Sequence, residues 1–240
     1  MKQKADSERM GEENYRKGYN DQGVRRYLGH VYLFVLFGLT LFTASSYLVG
    51  DFLSANIQSP SIGAFYLCTV VFSFIASIVG GLGCLFLSRK RFELKLFCYV
   101  LCSLGLGSGS SLLLYSANKV DPSIVWSSAA ITGLVVFSLT PLAFFIKRRT
   151  VFFLSCIVAA VFVCGFVLGL MNAFKYSQEV DLFLSFLFIF CFSVSFLVYT
   201  YTVIEDRKSG KEDVILHAYL LFVSVVNIFV NFVRAKLLMR

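Results

Sequence analysis

VILHAYLLFVSVVNIFVNFVRAK, residues 214–236, decides how the chain is read. It is apolar enough to cross a bilayer, yet it carries His217, Ser224, Asn227 and Asn231. A polar group in lipid is expensive unless a partner satisfies it. On a helix each residue advances about 100°. With His217 at zero, Ser224 falls near −20°, Asn227 near −80° and Asn231 near −40°, an arc of about 80°. Asp213, just before the segment, falls near −40° too. The opposite side is Leu, Val, Phe and Ile. Two readings fit one polar face on a membrane helix: bonds across to neighbouring helices, or the lining of a water or ion path. Either places this segment at the centre of a bundle, because the other apolar runs are poorer in polar groups.

The rest of the chain supplies those runs. Of 240 residues 58% are hydrophobic and 15% charged, with mean hydropathy +0.76. A soluble domain is nearer 45–50% apolar and about 25% charged. Seven segments stand out, about 30–50, 62–87, 95–116, 123–146, 150–172, 182–204 and 214–234. Runs of about 20 residues predict helices, whereas barrel strands alternate over about 10. The fold class expected is an all-α integral membrane protein with seven transmembrane helices, the last one central. The domains are a charged tail 1–29, a bundle 30–234 and a short basic tail 235–240. No short apolar segment ends in a small-residue cleavage site, so the first span is expected to serve as its own targeting signal.

Charge predicts an orientation. The tail and the loops after spans two, four and six carry 17 Lys or Arg, while the opposite loops carry only Lys119 and Lys175. Positive groups stay inside, so the N-terminus is expected in the cytosol. The net charge of +8 is then a topology signal that anionic lipid supports, and it implies no nucleic-acid partner. Arg234, Lys236 and Arg240 break the pattern. Either the last segment is re-entrant, or the rule fails at this tail.

Local features are mostly structural. Gly105/Gly109, Ser103/Gly107 and Gly80/Cys84 have the spacing that lets membrane helices approach closely. Pro141 is expected to kink span four. The seven Cys form no CxxC pair, which argues against a disulfide or zinc framework. Enzyme chemistry is not expected, and neither is a catalytic residue, a metal or a cofactor. Zinc hydrolases of the membrane need about three His, and this chain has His30 and His217. Ser108 lacks the Gly at position 106 that a rhomboid-type nucleophile needs, no paired Asp lies within a span, and Lys236 lies beyond the last span.

Several stretches together resemble the transmembrane Bax inhibitor family, nearest its Bax inhibitor-1 branch. They are RRYLGHVY (25–32), GLGSG (105–109), VDPSIV (120–125), FSLTPLAFFIKRRTVFFLSCIV (137–158), YTYTVIED (199–206) and DVILHAYLLFVSVVNIF (213–229). The resemblance implies a seven-helix bundle whose last helix is wrapped by the other six. It also implies a suppressor of cell death in the endoplasmic reticulum or another internal membrane, a possible calcium leak, and cell-death regulatory membrane proteins as partners. The family's gate is attributed to an Asp near the end of span six and another on the last helix. Here those positions fall on Thr200 and Ser224, so the acid pair is missing, and hydroxyls neither titrate near neutral pH nor hold Ca2+ as carboxylates do. Glu205, Asp206, Glu212 and Asp213 flank the last loop and could substitute; alternatively they are solvated loop charges. His217 is the intramembrane group there with an ordinary pKa near 6.5. Against the leak stands a second expectation, a non-conducting interaction protein acting through its cytosolic tail.

Overall fold

The computed structural model describes residues 2–55 and 62–240, with side chains from residue 23 onward apart from those at 62 and 64. Seven helices follow one another: α1 (Lys2–Ala55), α2 (Ile62–Phe86), α3 (Phe92–Val120), α4 (Pro122–Leu142), α5 (Arg148–Phe174), α6 (Gln178–Lys208) and α7 (Val214–Leu238). Among the described residues all seven are long and apolar enough to span a membrane, and none forms a strand.

Turn chemistry sets the boundaries. Asp121 caps α4 by accepting from the Ser123 N–H at 2.8 Å, and Pro122 takes the first helical position, where no N–H is needed. Asp213 caps α7 by accepting from the Leu216 N–H at 3.2 Å. Gly210 ends α6 at φ +70°, with Lys211 N–H donating to the Asp206 carbonyl and Gly210 N–H to that of Arg207. That pairing is the Schellman closure, and it favours glycine at the left-handed position. Pro141, expected to kink span four, falls inside α4 near its C-terminal end. It lies in the last turn, and the helix stops one residue later.

α7 is the axis. Within its most apolar window 56% of residues are buried inside the protein, against 11% for α5, the most apolar helix of all. Helices α1, α2, α3, α4 and α6 pack on α7, while α5 packs mainly on α6 as an outer strut. The wrap expected from the resemblance is therefore made chiefly by five helices. The core between them is aromatic and aliphatic: Phe42 from α1, Tyr99 from α3, Phe196 from α6, and Leu221 and Phe222 from α7. Tyr99 meets Phe222 edge to face at 5.6 Å, and its hydroxyl donates to the Phe34 carbonyl at 2.8 Å. The outer faces carry exposed Phe, Leu and Val on every helix but the last, which is what a lipid-facing surface requires.

The small residues do what their spacing predicts. A Cβ on Gly80 would sit 2.5 Å from the Cys98 carbonyl oxygen, and one on Gly105 would sit 2.9 Å from that of Ser73. Helices α2 and α3 thus touch backbone to backbone. Of the seven Cys, four are buried and three, Cys68, Cys156 and Cys164, lie on the outside; all are free.

The first span begins earlier than its apolar run. Val24, Tyr27 and Leu28, which composition placed in the charged tail, are buried in the core. The uncertainty over Arg234, Lys236 and Arg240 also resolves. α7 is one unbroken helix of 25 residues, about 37 Å long at 1.5 Å per residue, long enough to cross and without the break that re-entry needs. Its last turn lies beside the starts of α4 and α6. There Arg234 pairs with Asp181, Arg240 pairs with Asp121 at 2.5 Å, and Lys236 donates to the Ser127 hydroxyl at 2.6 Å. The exceptions to the charge rule are met by acids and a hydroxyl at that end.

Candidate functional site

The first turn of α7 carries Asp213 and His217 four residues apart, so both face the same way. Each meets a partner from another helix. The Lys95 ammonium of α3 donates to Asp213 at 2.6 Å and to the Leu87 carbonyl at 3.3 Å. Both members of the pair are out of solvent, at 2% and 9% exposure. His217 is 2% exposed and held at both nitrogens, Nδ1 2.9 Å from the Tyr27 hydroxyl of α1 and Nε2 3.2 Å from the Asp206 carboxylate of α6. A neutral ring protonated on Nε2 satisfies both contacts, with Tyr27 donating to Nδ1; a charged ring also does, with the Tyr27 oxygen accepting. The Arg207 guanidinium lies 5.6 Å over the Tyr27 ring and pairs with Glu212. One polar network therefore ties α1, α3, α6 and α7 together at the end of the bundle that carries the basic loops.

The four acids flanking the last loop separate into different roles. Asp213 is buried, caps α7 and holds Lys95. Asp206 holds His217. Glu212 pairs with Arg207 at the surface, and Glu205 is half-buried with no cation against it among the described residues.

Further along α7 the stripe turns inward on itself. Ser224 donates to the Leu220 carbonyl at 3.0 Å, Asn227 to that of Val223 at 2.8 Å, and Asn231 to that of Asn227 at 2.8 Å. These are bonds within one helix, so the donors of the stripe do not reach across as interhelical glue would. Only His217 bonds outward. Thr200 does the same on α6, donating to the Phe196 carbonyl at 2.8 Å; both Thr200 and Ser224 are buried. Among the described residues no three His, Cys, Asp or Glu converge in a metal-binding set.

Lys95, Tyr27 and Arg207 of this network are not singled out by the sequence. Lys95 was counted as a loop charge, although it sits four residues into α3 with apolar neighbours on both sides, and that isolation was a usable signal. Tyr27 lies in the charged segment and gave none.

A chain of seven long apolar helices, the last carrying a polar stripe and wrapped chiefly by five of the others, is an integral, multi-pass membrane protein. The family model described as inhibitor of apoptosis-promoting Bax1 matches residues 24–239, and the chain belongs to that family. It is also 30% identical, over 143 residues, to the Bax inhibitor 1 homolog of Dictyostelium discoideum, covering 58% of this chain and 54% of that protein. The chain thus spans about half the length of the curated relative it matches.

Proposed function

We propose that the protein restrains cell death from an internal membrane, the endoplasmic reticulum above all, with its N-terminus in the cytosol. It acts without catalysis or a cofactor, through cell-death regulatory membrane proteins and through control of calcium. Family membership supports the anti-apoptotic reading, and the crowding of basic side chains at one end supports the orientation. The observation that carries the calcium part is the position of the carboxylates. The places of the family's acid pair hold Thr200 and Ser224, each bonded to its own helix. The acids gather instead at the basic end, where Asp213 pairs with Lys95 and Asp206 contacts His217. A Ca2+ ion passing along α7 would meet no free carboxylate midway, so the leak is weak and lacks the usual acid-dependent gate.

The test is calcium flux into liposomes holding the purified protein, at about pH 6 and about pH 8, on either side of the ordinary His value. A variant with Thr200→Asp and Ser224→Asp runs beside it. Silence from wild type with a leak from the variant supports the reading. A strong wild-type leak shut by acid, and unchanged by His217→Ala, rejects it.

A second reading has its own support. Because the side-chain bonds made by Ser224, Asn227 and Asn231 stay within α7, the axis is suited to a rigid support that conducts nothing. The work would then fall to the segment 1–29 binding a partner. Deleting residues 1–22, which spares the buried Val24, Tyr27 and Leu28, separates the two, since a conducting core survives the deletion and a scaffold does not.

A further inference from the structure

A wide groove lies elsewhere, on the outer face, lined by α1, α4 and the turn after α4. It has a volume of about 780 Å³ and runs from Arg25 at the basic end past Tyr32, Thr140 and Phe144 to Gly133. That volume lies within the ~300–1,000 Å³ of small-molecule sites. Its length along α4, from Pro141 to Gly133, is about 12 Å at 1.5 Å per residue.

The groove is polarised. At its mouth Arg25 is exposed, and no acid among the described residues pairs with it. Lys147 and Arg148, both exposed, follow Phe145 of the same rim by two and three residues. Below the mouth the only side-chain hydroxyls, of Tyr32 and Thr140, bond to each other at 2.8 Å, and Thr140 also donates to the Val136 carbonyl at 2.8 Å. They leave little for a polar ligand. Val136, Phe137, Phe144 and Phe145 supply the remainder of the wall. Gly133 has open space where its Cβ would be, so the apolar end is unfilled.

An exposed cation above an apolar slot, on a face that meets lipid, matches one kind of molecule. We propose that this groove is a binding site for one anionic phospholipid, its phosphate on Arg25 and an acyl chain along Phe144, Phe137 and Val136 toward Gly133. Charge selects the lipid, because a phosphate carrying a net negative charge gains from a guanidinium that a zwitterionic headgroup satisfies within itself. The slot distinguishes this from diffuse attraction to the basic face, which would involve every exposed Lys and Arg alike.

The experiment is native mass spectrometry of the full chain released from nanodiscs of equal phosphatidylcholine and phosphatidylglycerol. Wild type should retain one phosphatidylglycerol in preference to phosphatidylcholine. Arg25→Gln should lower that preference about fivefold, the factor for one basic side chain near a membrane surface. Arg26→Gln, also at an exposed position and removing the same charge one residue away, should leave it unchanged. Gly133→Leu fills open space on a lipid-facing helix and should reduce retention of both lipids. The proposal is overturned if wild type shows no preference, if Arg25→Gln and Arg26→Gln act equally, or if Gly133→Leu changes nothing. It is likewise overturned if glycerol 3-phosphate displaces the lipid as well as a short-chain phosphatidylglycerol does, which would make this a headgroup-anion site with no use for the slot.

Discussion

At its N-cap α7 offers an acid, Asp213, to a lysine; near its other end it offers an arginine, Arg234, to an acid. The chemistry is mirrored, but the surroundings are not. Lys95 and Asp213 are both out of solvent. Arg234 is 46% exposed while its partner Asp181 is 7% exposed, and the two meet through two bonds, at 3.1 Å and 2.5 Å. A buried pair gains little over apolar packing, yet losing one partner strands a charge in a medium that cannot solvate it. An exposed arginine can return to water. The two ends of one helix should therefore respond very differently to the same kind of substitution.

The largest effect is expected at the buried end. Lys95→Met removes the ammonium and leaves Asp213 uncompensated, which should cost about 3–5 kcal/mol. Denaturant unfolding in detergent measures it. Adding Asp213→Asn should recover most of the loss, since Asn keeps the helix cap without the charge. If the double variant is as unstable as Lys95→Met alone, the cost is packing and the contrast between the ends fails.

His217 comes next. His217→Phe keeps a ring against Tyr27, whose edge meets it at 5.9 Å, but loses both bonds. Asp206 can turn to solvent, whereas the buried Tyr27 hydroxyl cannot. The expected loss is about 2 kcal/mol. Tyr27→Phe in the same background should then cost almost nothing, and a full additional cost would mean that the bond between the two is not formed.

At the exposed end Asp181→Asn should cost only about 1 kcal/mol, discounted for the solvent around Arg234. Its signature is local. Amide exchange should rise over residues 234–240 and stay unchanged over 213–217. A rise at both ends would mean that α7 responds as one rigid rod and that its termini are not independent locks.

The difference between the ends also marks what the sequence could tell. The helices were legible because apolar runs of about 20 residues have few alternatives. The centrality of α7 was legible because four polar residues share an arc. The pairings were not. Lys95 and Asp213 lie 118 residues apart, and no periodicity on one helix names its partner on another. Position relative to a span boundary misled twice, with Lys95 counted as loop and Tyr27 as tail, because chemical composition blurs where a helix leaves water. The charges of 234–240 left re-entry open for the same reason, since only packing shows Asp181 and Asp121 waiting for them. The stripe itself was visible, but a backbone carbonyl one turn away is always available to Ser and Asn, and spacing cannot tell that bond from one to a neighbour.

The smallest effect sharpens the comparison through pH. Asp121 lies between α3 and α4, outside the spans. The Ser123 N–H it accepts, with the Ser123 hydroxyl and Arg240 beside it, holds its carboxyl well below the ordinary 3.8, at about 2. A carboxyl with a lowered folded pKa stabilises the protein fully above its unfolded value and loses that contribution as pH falls through the folded one. Above about pH 4 the contact should therefore be pH-independent, and its loss should run from there down to about pH 2. The wild-type unfolding midpoint is compared with that of Asp121→Asn, which keeps the cap and cannot titrate. The two should converge over that window because wild type falls toward the variant. Convergence already at pH 5 to 6 would mean that the carboxyl is not held low, and the far end of α7 would then rest on Asp181 and Ser127.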